Sequence, residues 1–73
     1  MDYFELYKDV WNFHKKYQQV QTTDEYWQQV VDESNQIAKK YNQCKFAKDL
    51  LLAIIGELER IYKELIENAN TAI

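Results

Sequence analysis

Seventy-three residues make one domain, and a core that small yields little net stability once chain entropy is subtracted. A single cysteine excludes an intrachain disulfide, and with one histidine beside it there is no ligand set for zinc or for thiol–imidazole catalysis. A net charge of −3 and a pI of about 5.0 count against a nucleic-acid surface, whose affinity rests on clustered lysine and arginine.

Proline is absent and Gly56 is the only glycine, so helix ends have to be read from caps and charge. The first helix is predicted over 2–20. Asp2 serves as its N-cap, and Tyr3, Leu6, Tyr7, Val10, Phe13, Tyr17 and Val20 recur at helical spacing. The second is predicted over 23–41. Thr22 and Glu25 have the spacing of a capping box, and Tyr26, Trp27, Val30, Val31, Ile37, Ala38 and Tyr41 form one apolar face.

The next boundary is less plain, because Asn42-Gln43-Cys44-Lys45 contains no strong helix breaker and one continuous helix from Thr23 to Asn68 is an alternative. Two patterns favour a break. Acids open and lysines close the first two segments, as the helix macrodipole favours: Asp2 and Glu5 with Lys15-Lys16, then Asp24-Glu25 with Lys39-Lys40. The apolar pattern also recurs every 24 residues, aligning Leu6 with Val30 and Ile54, and Phe13 with Ile37 and Ile61. In one straight helix that offset would rotate the stripe by about 240°. Three heptad-patterned helices produce the offset without gene duplication. Asn42 is then the expected cap of a third helix over 45–67, and 69–73 is expected to form a frayed tail. Short connections make neighbours antiparallel, so the fold expected is an all-α, up-down-up three-helix bundle.

Helical projection exposes an excess of apolar surface. Phe4 and Trp11 widen the first helix beyond its core stripe. Ile55, Tyr62 and Ile66 widen the third beyond its stripe of Ala47, Leu50, Leu51, Ile54, Leu58, Ile61 and Leu65. Contiguous apolar flanks of this kind mark association sites. The expectation is a homo-oligomer, most simply a two-fold dimer, joined through Phe4, Trp11, Ile55, Tyr62 and Ile66.

Chemistry is harder to find. His14 falls between Val10 and Tyr17, and a buried hydrogen bond to Ser34 or a tyrosine explains it better than general-base catalysis. Cys44 at the second junction reads as a small residue sealing the bundle end, although a nearby lysine and a helix N-terminus would favour a reactive thiol. Glu64 and Glu67 have the Glu-x-x-Glu spacing of a magnesium site but lie outside the apolar arc; Asp2 and Glu5 share the spacing and already read as a cap. One glycine rules out Gly-rich phosphate loops, and neither a catalytic set nor a cofactor motif emerges.

The opening Met1-Asp2-Tyr3-Phe4-Glu5 lacks the basic and apolar regions of a secretory signal. The longest apolar run, Leu50 to Ile55, is far shorter than the roughly 20 residues of a membrane span. A cytoplasmic location is therefore expected. Eight lysines to one arginine read as the codon bias of an AT-rich, bacterial genome. The function these features favour is a small non-enzymatic protein–protein interaction module that self-associates, with room for a further protein partner. The alternative is a small regulator acting on nucleic acid or on a DNA-binding partner. Gln28, Gln29, Asn35 and Gln36 could read bases, but Asp24, Glu25, Asp32 and Glu33 would repel phosphate. A metal-dependent hydrolase with a site assembled across subunits ranks last.

Overall fold

The computed structural model describes the backbone of residues 1–71 and side chains through Asn68. Three helices are present: α1 (Tyr3–Tyr17), α2 (Asp24–Lys40) and α3 (Lys45–Thr71). Asp2 caps α1 as expected, accepting a hydrogen bond from the Glu5 backbone N–H at 3.1 Å. The helix stops at Tyr17 rather than continuing to residue 20. The Tyr17 carbonyl, left free at the helix end, accepts from the Tyr26 hydroxyl at 2.6 Å, so a side chain replaces the next turn. Val20 leaves the helix and packs from the loop against the core.

The cap of α2 is Thr23 and not Thr22. Its hydroxyl accepts from the Tyr26 N–H at 3.3 Å, which puts Tyr26 where a capping box would need glutamate. Two adjacent threonines offer equivalent caps, and the Tyr26–Tyr17 bond selects the phase. Glu25 instead acts on the helix dipole from the first turn.

The break between α2 and α3 is real, and two non-glycine residues in left-handed conformation make it. Asn42 and Gln43 both have φ 58°. The Asn42 N–H donates to Lys39 O at 3.0 Å and the Gln43 N–H to Ala38 O at 2.8 Å, the paired bonds of a Schellman C-cap. Asn42 therefore ends α2 instead of capping α3. That second role falls to Cys44, whose Sγ accepts from the Ala47 N–H at 3.5 Å while its carbonyl accepts from Lys48 N–H. Gln43 has a Cβ where the backbone favours glycine. Gly56, by contrast, sits exposed inside α3, and a methyl group in place of its hydrogen would meet nothing within 4 Å. Gln43→Gly and Gly56→Ala are each expected to stabilise the protein by about 1 kcal/mol in urea unfolding.

The helices run up, down and up. Tyr17 meets Tyr26 and Trp27 meets Tyr62 at one end, while Tyr3 and Tyr7 meet Phe46 at the other. The core is the seam of Leu6, Val10, Phe13 and Tyr17 against Tyr26, Val30, Ser34, Ala38 and Tyr41, closed by Ala47, Leu51 and Leu58. Charge ties α1 to α2. Lys40 reaches Glu5 at 3.0 Å and Asp9 at 2.8 Å, Tyr41 donates its hydroxyl to Asp9 at 2.5 Å, and Lys16 pairs with Glu33 at 3.3 Å. The lysine expected only to complement the α2 dipole thus joins two helices.

The helices differ in length. At about 1.5 Å per residue α3 spans about 40 Å, against about 22 Å for α1 and 25 Å for α2. The molecule is accordingly elongated, 50 × 19 × 18 Å. Because α3 continues to Thr71, it runs through the start of the stretch expected to fray, and 72–73 lie outside the described residues.

Candidate interaction surface

Phe4 and Trp11 sit seven residues apart on one side of α1 and are 78 % and 56 % exposed. Tyr3 and Tyr7 belong to the same side and are also more than half exposed, although their spacing had placed them on the core stripe. The reason is the level at which α3 begins. Phe46, in its first turn, presents its ring to the edges of Tyr3 at 5.7 Å and Tyr7 at 6.0 Å, so the rings stack outside the core. Phe46 is the member of this cluster that the pattern missed. It precedes the stripe beginning at Ala47, and only the parallel alignment of α1 with α3 reveals its role.

The α3 residues lie elsewhere. Ile55 and Tyr62 are half-buried against α2, where Tyr62 packs edge-on to Trp27 at 5.5 Å and Ile55 shares a groove with Ser34 and Ala38. The indole N–H of Trp27 is buried there with no acceptor among the described residues. Ile66 is 38 % exposed on the part of α3 that passes the end of the bundle. Leu65, whose spacing puts it at the centre of the core stripe, is 42 % exposed beside it. The five residues thus fall into three settings: the outer flank of α1, the α2–α3 groove, and the overhang of α3.

The candidates for chemistry separate. Ser34 is buried but donates to the Val31 carbonyl one turn back at 2.9 Å, so no hydrogen bond joins it to His14. His14 is half-buried at the edge of the α1 flank, with its ring edge-on to Trp11 at 6.1 Å. Cys44 is half-buried against the core in its capping role. Glu64 is held by Arg60 at 2.5 Å, and Arg60 also pairs with Glu57. No group of three or more His, Cys, Asp or Glu among the described residues could hold a metal ion.

A concavity of about 420 Å³ between α1 and α2 is lined by Asp9, Lys16, Glu33 and Lys40 among others. Its charges largely pair with one another. Burial pushes the Asp9 carboxyl up, but hydrogen bonds from Lys40 and Tyr41 outweigh it and hold the group below its usual range. Hydrogen bonds to Asp9 and Glu5 raise Lys40 in turn. Burial, then the neighbouring Glu33, pushes the Tyr17 hydroxyl up to about 12. Lys40 with Glu5 and Asp9, and Lys16 with Glu33, tie α1 to α2.

Among the described residues no helix is long and apolar enough to cross a membrane. No protein-family model, no curated protein and no solved structure matches the chain.

Proposed function

We propose that the protein is a non-enzymatic protein–protein interaction module that self-associates through its aromatic and aliphatic helix flanks, in the simplest case as a two-fold dimer. The observation that supports this reading most is the side of α1: Tyr3, Phe4, Tyr7 and Trp11 place four large rings next to one another, each more than half exposed. Large aromatic rings dominate binding energy where they become buried, and contiguous exposure of this kind is uncommon on a monomer. The small core adds a second reason, since association offsets its modest yield.

Sedimentation at micromolar concentration tests the proposal. The expected result is a species above 8.9 kDa that dissociates on dilution. Trp11→Glu is expected to weaken association at least a hundredfold while retaining the helical circular dichroism of the wild type, because the ring is outside the core. A clean 8.9 kDa wild-type species at all concentrations overturns the proposal.

A further inference from the structure

The side of α3 turned away from α1 has a symmetric pattern. Lys48, Leu52, Ile55 and Glu59 follow one another at steps of four, three and four, so at about 100° per residue they fall within about 60° of one helix face. Leu52 is 65 % exposed and Ile55 is half-buried. Beside them lies a groove of about 190 Å³, whose α2 wall includes the small side chains of Ser34 and Ala38. The charges that end the row, Lys48 and Glu59, are exposed and make no ion pair among the described residues. About 16 Å of helix separates them, so they cannot pair within one chain.

We propose that this row is a second two-fold contact, distinct from the aromatic flank of α1, in which α3 lies antiparallel against α3 of another copy. Charge selects the occupant. Turned about an axis between Ala53 and Ile54, the row is its own complement. Lys48 meets Glu59 of the second copy, Leu52 meets its Ile55, and each contact is made twice. A parallel two-fold would set Lys48 against lysine and Glu59 against glutamate. The α1 flank, edged by Lys8 and Lys15, offers Lys48 no partner. The neighbouring charges agree with the antiparallel order. Asp24 and Lys63 border the α2–α3 cleft beside Glu59 and balance one another, which leaves that end negative. At the other end Lys45 is neutralised by Asp49 at 2.6 Å, which leaves Lys48 to make it positive. Lys63 comes level with Lys45 of the second copy, the lysine that Asp49 already holds. Along the same face α2 sets Trp27 level with Tyr62 and Ala38 level with Leu51. The axis therefore crosses α2 near Asn35 and brings Lys39 level with Asp32 of the second copy, again opposite charges. This row is shorter than the α1 flank and has no aromatic ring, so it is the weaker contact and joins α1-linked dimers at higher concentration.

Sedimentation equilibrium of the full chain carrying Trp11→Glu isolates this contact, because the α1 flank is then disabled. Circular dichroism confirms that each variant keeps its helix. The expected result is a monomer–dimer equilibrium that appears toward millimolar concentration and weakens with added salt. In that background Leu52→Gln is expected to abolish the dimer, since the side chain stands at its centre and outside the core. Lys48→Glu is expected to weaken it roughly tenfold, one charge pair being reversed at two symmetric places. Adding Glu59→Lys is expected to return the affinity to its starting value, and the distance between the two positions means that only a second copy can supply that rescue. A Trp11→Glu chain that stays monomeric at every concentration overturns the α3 contact and leaves the α1 proposal standing. Indifference to Leu52→Gln, or a Lys48→Glu defect that Glu59→Lys does not repair, does the same. A wild-type dimer that withstands Trp11→Glu at full strength but is lost with Leu52→Gln overturns the α1 reading and keeps this one.

Discussion

Phe13→Ala is expected to unfold the protein, or to bring it to the edge of unfolding, at 25 °C. Phe13 is 2 % exposed, stands on the core side of α1 and sets its ring edge-on to Tyr17 at 5.4 Å. Removing a buried phenyl ring costs about 3–5 kcal/mol, partly as lost transfer energy and partly as a cavity that neighbours fill incompletely. A chain of this length has a total stability of only about 4–11 kcal/mol, and small cores sit low in such a range. The neighbours here are held by ties that resist collapse into the gap. Tyr17 is fixed by the Tyr26 bond to its carbonyl, and Ile37 lies across the groove from Phe13. Urea unfolding at one fixed protein concentration, followed at 222 nm, measures the loss. Phe4→Ala is the control: its ring is 78 % exposed, so the monomer's own stability is expected to change by no more than about 0.5 kcal/mol. Equal effects of the two substitutions would contradict this assignment of the core.

The contrast between those two phenylalanines was legible in the sequence, because at about 100° per residue they project to opposite sides of one helix. Helix starts were legible to within about a residue, although of the expected caps only Asp2 holds its role, Thr23 standing in for Thr22 and Cys44 for Asn42. A cap such as Asp2 acts within three residues, so local spacing contains the information. Helix ends were less so. Tyr17 closes α1 because a hydroxyl nine residues away reaches its carbonyl, and no local pattern encodes that bond. The turn at Asn42-Gln43 has no glycine to announce it; macrodipole charges and the offset of the stripe located it indirectly. Surface was legible as an amount but not as a place. Projection identified Phe4, Trp11, Ile55, Tyr62 and Ile66 as excess. It could not say that Ile55 and Tyr62 would be half covered by α2, nor that Tyr3 and Tyr7 would be pushed outward beside Phe46. Both facts depend on the relative heights of helices. Three helices read as nearly equal conceal an overhang; lengths of 15, 17 and 27 residues create one, and with it the exposure of Leu65.

Raising the pH from 10 to about 12 is expected to unfold the protein cooperatively. Burial, followed by a carboxylate, pushes the hydroxyls of Tyr17 and Tyr41 up to about 12, beside Glu33 in the first case and Asp9 in the second. Burial alone raises Tyr26. In the unfolded chain these groups ionise near 10. Their folded values are raised, so the stability they contribute is complete below pH 10 and is lost as the pH climbs to about 12. Tyr41 makes the cause concrete. As a neutral donor it completes the Asp9–Lys40 junction between α1 and α2 at 2.5 Å; as a phenolate it would set a second anion against Asp9 at that distance. Ionisation and the intact junction are therefore incompatible. Absorbance at 295 nm reports tyrosinate, and the fraction belonging to these residues is expected to appear together with the loss of helix at 222 nm. Tyr41→Phe lowers stability at neutral pH, since Asp9 loses a donor, yet it makes the alkaline transition shallower because one fewer proton is released. The acid side has the opposite sign. Asp9 is held below its ordinary value of 3.8, so the junction survives above that pH and fails only as the pH falls through the lowered value. Full tyrosinate absorbance with the helix still intact above pH 12 would show that these hydroxyls are not built into the helix packing as the geometry requires.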